Sequence, residues 1–288
     1  MEGIAELLAT HRWDGQRLQL DYFPPTSDDV PNWGRIRIVK DDFAARRAKT
    51  LRGVFDYPTD AHLQIQPYGW CWAVAAFFDG HPRYRARFRE IPSYLRAHDL
   101  TDRFLQRLGQ DAEFAAEEWQ VFASNIEYGY DFARMAIDFT PGRSLPAEGA
   151  QTTVAADRGW QNSRLRLEAG KVYRIQASGR YQVGKKPQAW WCEPNGVSIR
   201  YYKGRPLGVL LATIRPDEGL AGKRSPWIAP VVIGLGCELE PKQSGTLYLR
   251  INHSADELAD NAGHLTVEVA PEAKPMTNRA PEEPGAER

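Results

Sequence analysis

The stretch PYGWCWAVAAFFDG, residues 67–80, decides how the chain is read. Trp70, Val74, Phe77 and Phe78 fall at i, i+4, i+7 and i+8, which predicts a helix over 67–79 with one broad apolar face. Gly80 and Pro82 stop it. A helix this apolar and aromatic belongs in a core.

Working outward, the pattern from Glu2 to about Phe139 is helical, broken early by two expected extended pieces, Arg17 to Phe23 and Arg35 to Val39. Downstream, Pro82 opens a basic amphipathic helix carrying Tyr84, Phe88, Ile91 and Leu95, its basic residues expected on a solvated face. Helices over Thr101 to Leu108 and Asp111 to Ile126 follow, the latter with Phe114, Trp119 and Phe122 as apolar positions. The acidic pairs Asp41-Asp42 and Glu117-Glu118 read as exposed helix faces. Residues 141–149 hold two prolines and two glycines, the composition of a linker.

Beyond it the period changes to two. Val172, Arg174 and Gln176 alternate with Tyr173, Ile175 and Ala177, and Thr246 to Ile251 behaves likewise. Further strands are expected at Val197 to Tyr202, Leu207 to Ile214, Ile228 to Leu235 and Leu265 to Val269, with turns at Lys203-Gly204 and Gln243-Ser244-Gly245. The expected fold is therefore α+β in two domains: a mostly helical N-terminal half (1–140), a linker (141–151) and a jelly-roll-like antiparallel β-sandwich (152–270). Residues 271–288, rich in Pro, Glu and Ala, read as a disordered tail.

Composition narrows the function classes. Lys plus Arg (37) balances Asp plus Glu (37), which gives no field to gather nucleic acid. No apolar run approaches the roughly 20 residues of a membrane helix, and the first ten residues lack the pattern of a signal peptide. The three cysteines, Cys71, Cys192 and Cys237, lack metal-ligand spacing and are expected as buried free thiols, with a Cys192–Cys237 pairing open if the protein is exported. No P-loop, Gly-x-Ser-x-Gly or GxGxxG motif occurs.

Two constellations carry chemistry. Glu2-Gly3-Ile4-Ala5-Glu6, read alone, is an acidic first helical turn favoured by the helix dipole. Followed by Tyr68-x-Trp70-x-Trp72-Ala73 and by Asp79-Gly80-His81-Pro82-Arg83-Tyr84, it resembles the gluzincin zinc peptidases over about half the chain. The resemblance implies that Glu2 is the third zinc ligand, beside two histidines and a general base from a His-Glu-x-x-His helix. None of the six histidines stands in such a run, so two ligands and the base are missing. The expectation is a chain that is not catalytic as written, either because an upstream segment has been lost or because catalysis has. His81 and His11 read as local caps rather than catalytic groups.

The β-rich half, through Asp157-Arg158-Gly159-Trp160, Gly170-Lys171-Val172-Tyr173, Ala177-Ser178-Gly179-Arg180-Tyr181 and Asp260-Asn261-Ala262-Gly263, resembles the calcium-dependent galactose-binding lectins of bacteria. That resemblance implies calcium between two loops, with Tyr181 supplying a backbone carbonyl and Glu257, Asp260 and Asn261 on the second loop. His253 stands where the lectins carry an aspartate, and an imidazole is a poor calcium ligand. Trp190, Trp191, Glu193 and Asn195 form a loop suited to stacking and hydrogen bonding a sugar, together with His253. The plainer readings are that both tryptophans fill the core or dock on the helical half, and that 260–263 is a tight turn. The implied partner is a carbohydrate or cell-surface glycan, in a secreted or cell-envelope setting; the implied cofactors are calcium in the sandwich and zinc only in a complete parent. Two alternatives stay open: a non-enzymatic binding protein, and a purely architectural accessory domain.

Overall fold

The computed structural model describes residues 2–20, 22–96, 99–220 and 225–272. The chain is α+β, with a helical N-terminal half and a β-rich C-terminal half. The helical part comprises α1 (Glu2–Ala9), a small hairpin of β1 (Arg12–Trp13) and β2 (Leu18–Gln19), α2 (Arg35–Ala44), α3 (Leu51–Phe55), α4 (Gln66–Gly80), α5 (Arg85–Arg89), α6 (Leu100–Leu108), α7 (Asp111–Asn125) and α8 (Phe132–Met135).

The expected core helix is α4, and its burial runs almost all the way round: Trp70, Trp72, Phe77 and Phe78 are each inaccessible or nearly so. Phe77 lies against Tyr84, Trp119 and Phe122, joining α4 to α7. α1 crosses α4 so closely that a Cβ on Gly3 would collide with the Cys71 carbonyl, and one on Gly69 would strike the Ile38 side chain of α2. Glycine at these positions lets backbones meet, which is why the Glu-Gly-x-Ala stretch and the Trp-x-Trp helix occur together in space.

Arg35 to Val39, expected as extended, lies instead in α2. Ile36 and Ile38 alternate with arginines and mimic a strand, but burial of Ile36, Val39 and Asp42 follows a helical i, i+3, i+6 stripe. Among the described residues of Arg17 to Phe23, Leu18–Gln19 alone is strand. The basic helix ends at Arg89 and continues as a 3-10 turn, Ile91–Tyr94, at Pro92. Its arginines are bonded to the protein: Arg85 donates to Asp79 O and Gly80 O, Arg87 pairs with Asp111 and Arg89 with Asp79.

The β-rich part contains β3 (Arg143–Ser144), β4 (Ala150–Ala155), β5 (Gln161–Leu167), β6 (Tyr173–Ser178), β7 (Tyr181–Gln182), β8 (Trp191–Cys192), β9 (Val197–Tyr202), β10 (Arg205–Leu207), β11 (Leu210–Pro216), β12 (Val231–Val232), β13 (Gly236–Leu239), β14 (Gly245–Ile251) and β15 (His264–Pro271). They form a five-stranded sheet in the order β12-β11-β14-β5-β3, a four-stranded sheet in the order β13-β6-β15-β4, and two-stranded ribbons β7-β8 and β9-β10. β3, in the stretch expected as linker, pairs in parallel with β5. Ile228 to Leu235, expected as one strand, holds only β12, preceded by a 3-10 turn over Pro226–Ile228. Pro271 closes β15; the expected tail from residue 273 onward lies outside the described residues. Lys203 (φ 48°) and Gly204 (φ 73°) both take positive φ, the two-residue turn their sequence implied for β9-β10.

All seven residues of β14 are buried, because the five-stranded sheet is covered on both faces. Leu247, Leu249 and Ile251 meet Ile175, Leu265 and Val267 of the second sheet in one hydrophobic cluster. Tyr248, on the opposite face, joins Trp160, Val209, Leu211 and Trp227 in the cluster that contains α4 and α7. Three layers result: helices, sheet, sheet. Cys71, Cys192 and Cys237 are free thiols, so the Cys192–Cys237 pairing is not formed.

The acid pair Glu117-Glu118, expected on a solvated face, is 3% exposed at both residues. Glu118 collects the helical layer: its carboxylate accepts from the Tyr84 hydroxyl, from Ile137 N (2.7 Å) and from Arg83 (3.4 Å), with His81 Nε2 at 3.1 Å. Glu117 collects the sheet: Arg215 of β11 grips both its oxygens, and Trp227 Nε1 donates at 2.9 Å. Asp42 is likewise buried, accepting from Trp70 Nε1 at 2.9 Å and pairing with Arg47.

Two outcomes follow from this packing. Removing one partner of a buried ion pair leaves the other charge stranded, at a cost of about 3–5 kcal/mol. Glu117→Ala is therefore expected to lose that much in urea unfolding, whereas a change inside experimental error would contradict the buried role. Gly3→Val should destabilise by roughly 1–3 kcal/mol through overpacking against α4, and retained stability would mean that α1 sits elsewhere.

Candidate functional site

The candidate glycan-binding residues gather at one end of the β-rich half, where two loops are bound edge to edge. Gln182 of β7 exchanges backbone hydrogen bonds with Ala262 (2.9 and 3.1 Å), and its Nε2 donates to Asp260 O at 3.1 Å. Lys185 Nζ reaches Ala259 O at 3.1 Å. The first loop closes on itself through Val183 N to Trp190 O (2.8 Å) and Trp190 N to Gly184 O (3.0 Å).

The two tryptophans part company here. Trp190 is half-buried against the cluster between the sheets, as the plainer reading had it, while Trp191 is 51% exposed with the Arg180 guanidinium 5.6 Å over its ring. A half-exposed indole flanked by a cation offers a flat apolar face beside hydrogen-bond donors. Asn195 Oδ1 accepts from Leu235 N at 2.9 Å, while Glu193 bonds Gly196 N through its backbone carbonyl and its side chain is exposed.

Tyr181 is fully buried in the β7-β8 ribbon, with its hydroxyl donating to Gly208 O at 2.6 Å and Glu193 O 3.0 Å away. Burial pushes that phenol far above the usual tyrosine range. His253 is 1% exposed; its Nε2 lies 3.0 Å from Val183 O and its Nδ1 3.8 Å from Glu257. Desolvation holds the imidazole below its ordinary pKa, which favours the neutral form, with Nε2–H as donor to the carbonyl. Glu257 receives Arg200 Nη2 on both oxygens at 2.8 Å. Asn261 is buried, donating to Ala156 O at 2.9 Å, and its Oδ1 has no hydrogen-bond partner among the described residues. Asp260 is exposed, and of the two carboxylates implied as calcium ligands it alone has no partner among the described residues.

A calcium ion needs six to eight converging oxygens. Among the described residues, no three His, Cys, Asp or Glu side chains converge as a metal site. Glu257 is saturated by a guanidinium, which leaves the Asp260 carboxylate and the buried Asn261 Oδ1 as the unpartnered oxygens among the implied side-chain ligands, too few to fit the ion.

Glu2, the implied zinc ligand, is exposed in the first turn of α1, at the rim of a cleft of about 580 Å³ between α1, α3, α4 and α6. Ile4, Val54, Val74, Phe78, Phe88 and Phe104 make the cleft apolar, and burial pushes the Cys71 thiol within it up to about 11. His81, by contrast, is buried against Glu118, and its Nδ1 accepts from Arg83 N at 3.2 Å, the local bond expected of it. His11 and His264 are exposed.

Sequence reasoning missed Arg180 and Arg200. Arg180 follows Gly179 directly before the β7-β8 ribbon, and Arg200 occupies the middle of a strand whose neighbours Ile199 and Tyr201 are exposed. An arginine a few residues before the loop that holds Trp190 and Trp191 was the available signal for the first; nothing local announces the second.

No family model and no curated protein matches this sequence. Among solved structures, this chain is similar to the N-terminal domain of EclA, a PllA-like lectin, at 25% identity over 44% of this chain and all of that one, with a TM-score of 0.32. A second similarity is to PliG of Aeromonas hydrophila, a periplasmic inhibitor of g-type lysozyme, at 10% identity over 48% of this chain and 99% of that one (TM-score 0.26). The IMPa metallopeptidase, in complex with T-antigen, is similar over 92% of this chain at 13% identity and a TM-score of 0.25. The chain spans about a quarter (26%) of that metallopeptidase structure.

Proposed function

We propose that this chain is a non-catalytic part or relative of a secreted zinc metallopeptidase, in which a lectin-like sandwich binds glycan. The observation that carries the glycan reading is Trp191, half-exposed beneath Arg180, beside two loops bound to one another. Sugar rings stack their C–H faces on such indoles while neighbouring donors take the hydroxyls. Two facing sheets support a jelly-roll-like sandwich over 152–270, and the Glu117 lock supports its presentation at a fixed angle to the helical part, 1–140.

The peptidase-like reading rests on the resemblance around Glu2. Its support is positional: Gly3 seats α1 on α4, which fixes the Glu2 backbone at the rim of the apolar cleft. A helix bearing His-Glu-x-x-His, packed from outside onto that rim, would complete the ligand set. Within this chain Glu2 stands without those partners, so no step of hydrolysis is assigned to it.

Two measurements check the proposal. On a glycan array the chain is expected to bind a defined set of glycans, and Trp191→Ala to weaken binding by at least about tenfold, the value of one lost stacking contact. Unchanged binding in Trp191→Ala would remove this face as the site, and a blank array would leave an architectural role. Calorimetric titration with zinc is expected to show no stoichiometric site; one-to-one zinc uptake would mean that residues outside the expected motif rebuild a centre.

A further inference from the structure

The lectin resemblance implies a calcium ion joining the two loops, and the donor set at that place disagrees with it. We infer that organic cations and N–H donors take the ion's place in this chain, so that the candidate glycan-binding end is metal-independent. The inference rests on the lectin-like reading of the β-rich half.

Several acceptors at this end are already matched, while the Asp260 carboxylate and Asn261 Oδ1 have no partner among the described residues. Both Glu257 oxygens are held by Arg200 at 2.8 Å. Val183 O faces His253 Nε2 at 3.0 Å, Ala259 O takes Lys185 Nζ at 3.1 Å, and Asp260 O takes Gln182 Nε2 at 3.1 Å. Each contact joins residues far apart in sequence, and three of the four bring the 253–260 segment to residues 182–185. A bridging calcium ion draws the same kinds of group, carbonyls and a carboxylate, toward one centre. Here the work is divided among a guanidinium, an ammonium, an imidazole and an amide.

Charge argues the same way. Arg200 is paired with Glu257 and Lys185 Nζ sits on the Ala259 carbonyl, so a divalent ion would enter beside two cations and would have to displace the guanidinium to reach the Glu257 carboxylate. His253 is the position that decides the matter. A carboxylate there would add an acceptor, whereas the buried imidazole donates to Val183 O and fills the space.

The test uses the full chain and two readouts that need no sugar: thermal unfolding with calcium or with EDTA, and calorimetric titration with calcium chloride. The expected result is a Tm that moves by less than about 1 °C between calcium and EDTA, with no binding heat. A ligand present at about a hundred times its Kd would raise the Tm by at least about 4 °C; such a rise in the unmodified chain overturns the inference. Arg200→Gln is expected to speed hydrogen exchange across 182–192 and 257–263, while Arg200→Gln with His253→Asp gains a calcium-dependent rise in Tm. A double variant as indifferent to calcium as the parent would also count against it, since freeing the acceptors would then have made no difference. Glycan binding separates the two ideas: binding retained with a calcium-raised Tm sinks this inference alone, and no binding with an unmoved Tm sinks the glycan reading alone.

Discussion

Two neighbouring carboxylates on α7 hold the layers of this protein together. Glu118 faces the helical layer and receives Tyr84, Arg83, the Ile137 amide and the edge of His81, while Glu117 faces the sheet and receives Arg215 and Trp227. Burying either charge is costly, and the cost is offset only where every lone pair is matched. The consequence is geometric: the two carboxylates fix how α7 sits against α4 and the five-stranded sheet, because a slide of one residue would carry both away from their partners. Around that lock the aromatic side chains of α4 and α7 fill the helical layer, and Tyr248, Trp160 and Trp227 continue the same cluster onto the sheet.

That rigidity bears on function through the far side of the molecule. The outer face of the five-stranded sheet is covered by the helices and its inner face by the second sheet, whose own outer face carries exposed polar residues such as Arg174 and Gln176. At one end of the β-rich half Trp191 is left half-exposed beneath Arg180, while the loops behind it are bound by Gln182, Lys185, His253 and Arg200. Preorganised loops lose little freedom on binding, which matters for weak ligands such as sugars. The helical part presents a different feature, an apolar cleft with Glu2 on its rim.

The sequence made the core helix, the turn at Lys203-Gly204 and the strands around β6, β14 and β15 legible, because each repeats a pattern set by its own geometry. Taking charge for exposure held at Asp41 and misled at three neighbouring or comparable acids. Glu117, Glu118 and Asp42 are polar residues whose partners, Arg215, Trp227, Tyr84 and Trp70, lie 28 or more residues away, and nothing local distinguishes them from solvated acids. Tyr248 and Arg250 of β14 look outward-facing beside Leu247, Leu249 and Ile251, yet the helices cover that face as well. At the candidate site, Tyr181, Glu257 and Asn261 were singled out as oxygen donors; the fold ties down the Tyr181 hydroxyl and the Asn261 amide nitrogen, and of the implied ligand oxygens it engages those of Glu257, through an arginine from a strand far off in sequence, in a pairing that only the tertiary structure discloses.

If the α7 carboxylates unite helices and sheets as described, the molecule should unfold as one unit. Hydrogen exchange followed segment by segment through a urea transition tests this directly. In that case α4, α7, β11 and β14 lose protection at one common midpoint with one common m-value. Separate midpoints, with the strands protected after the helices have opened or the reverse, would contradict it.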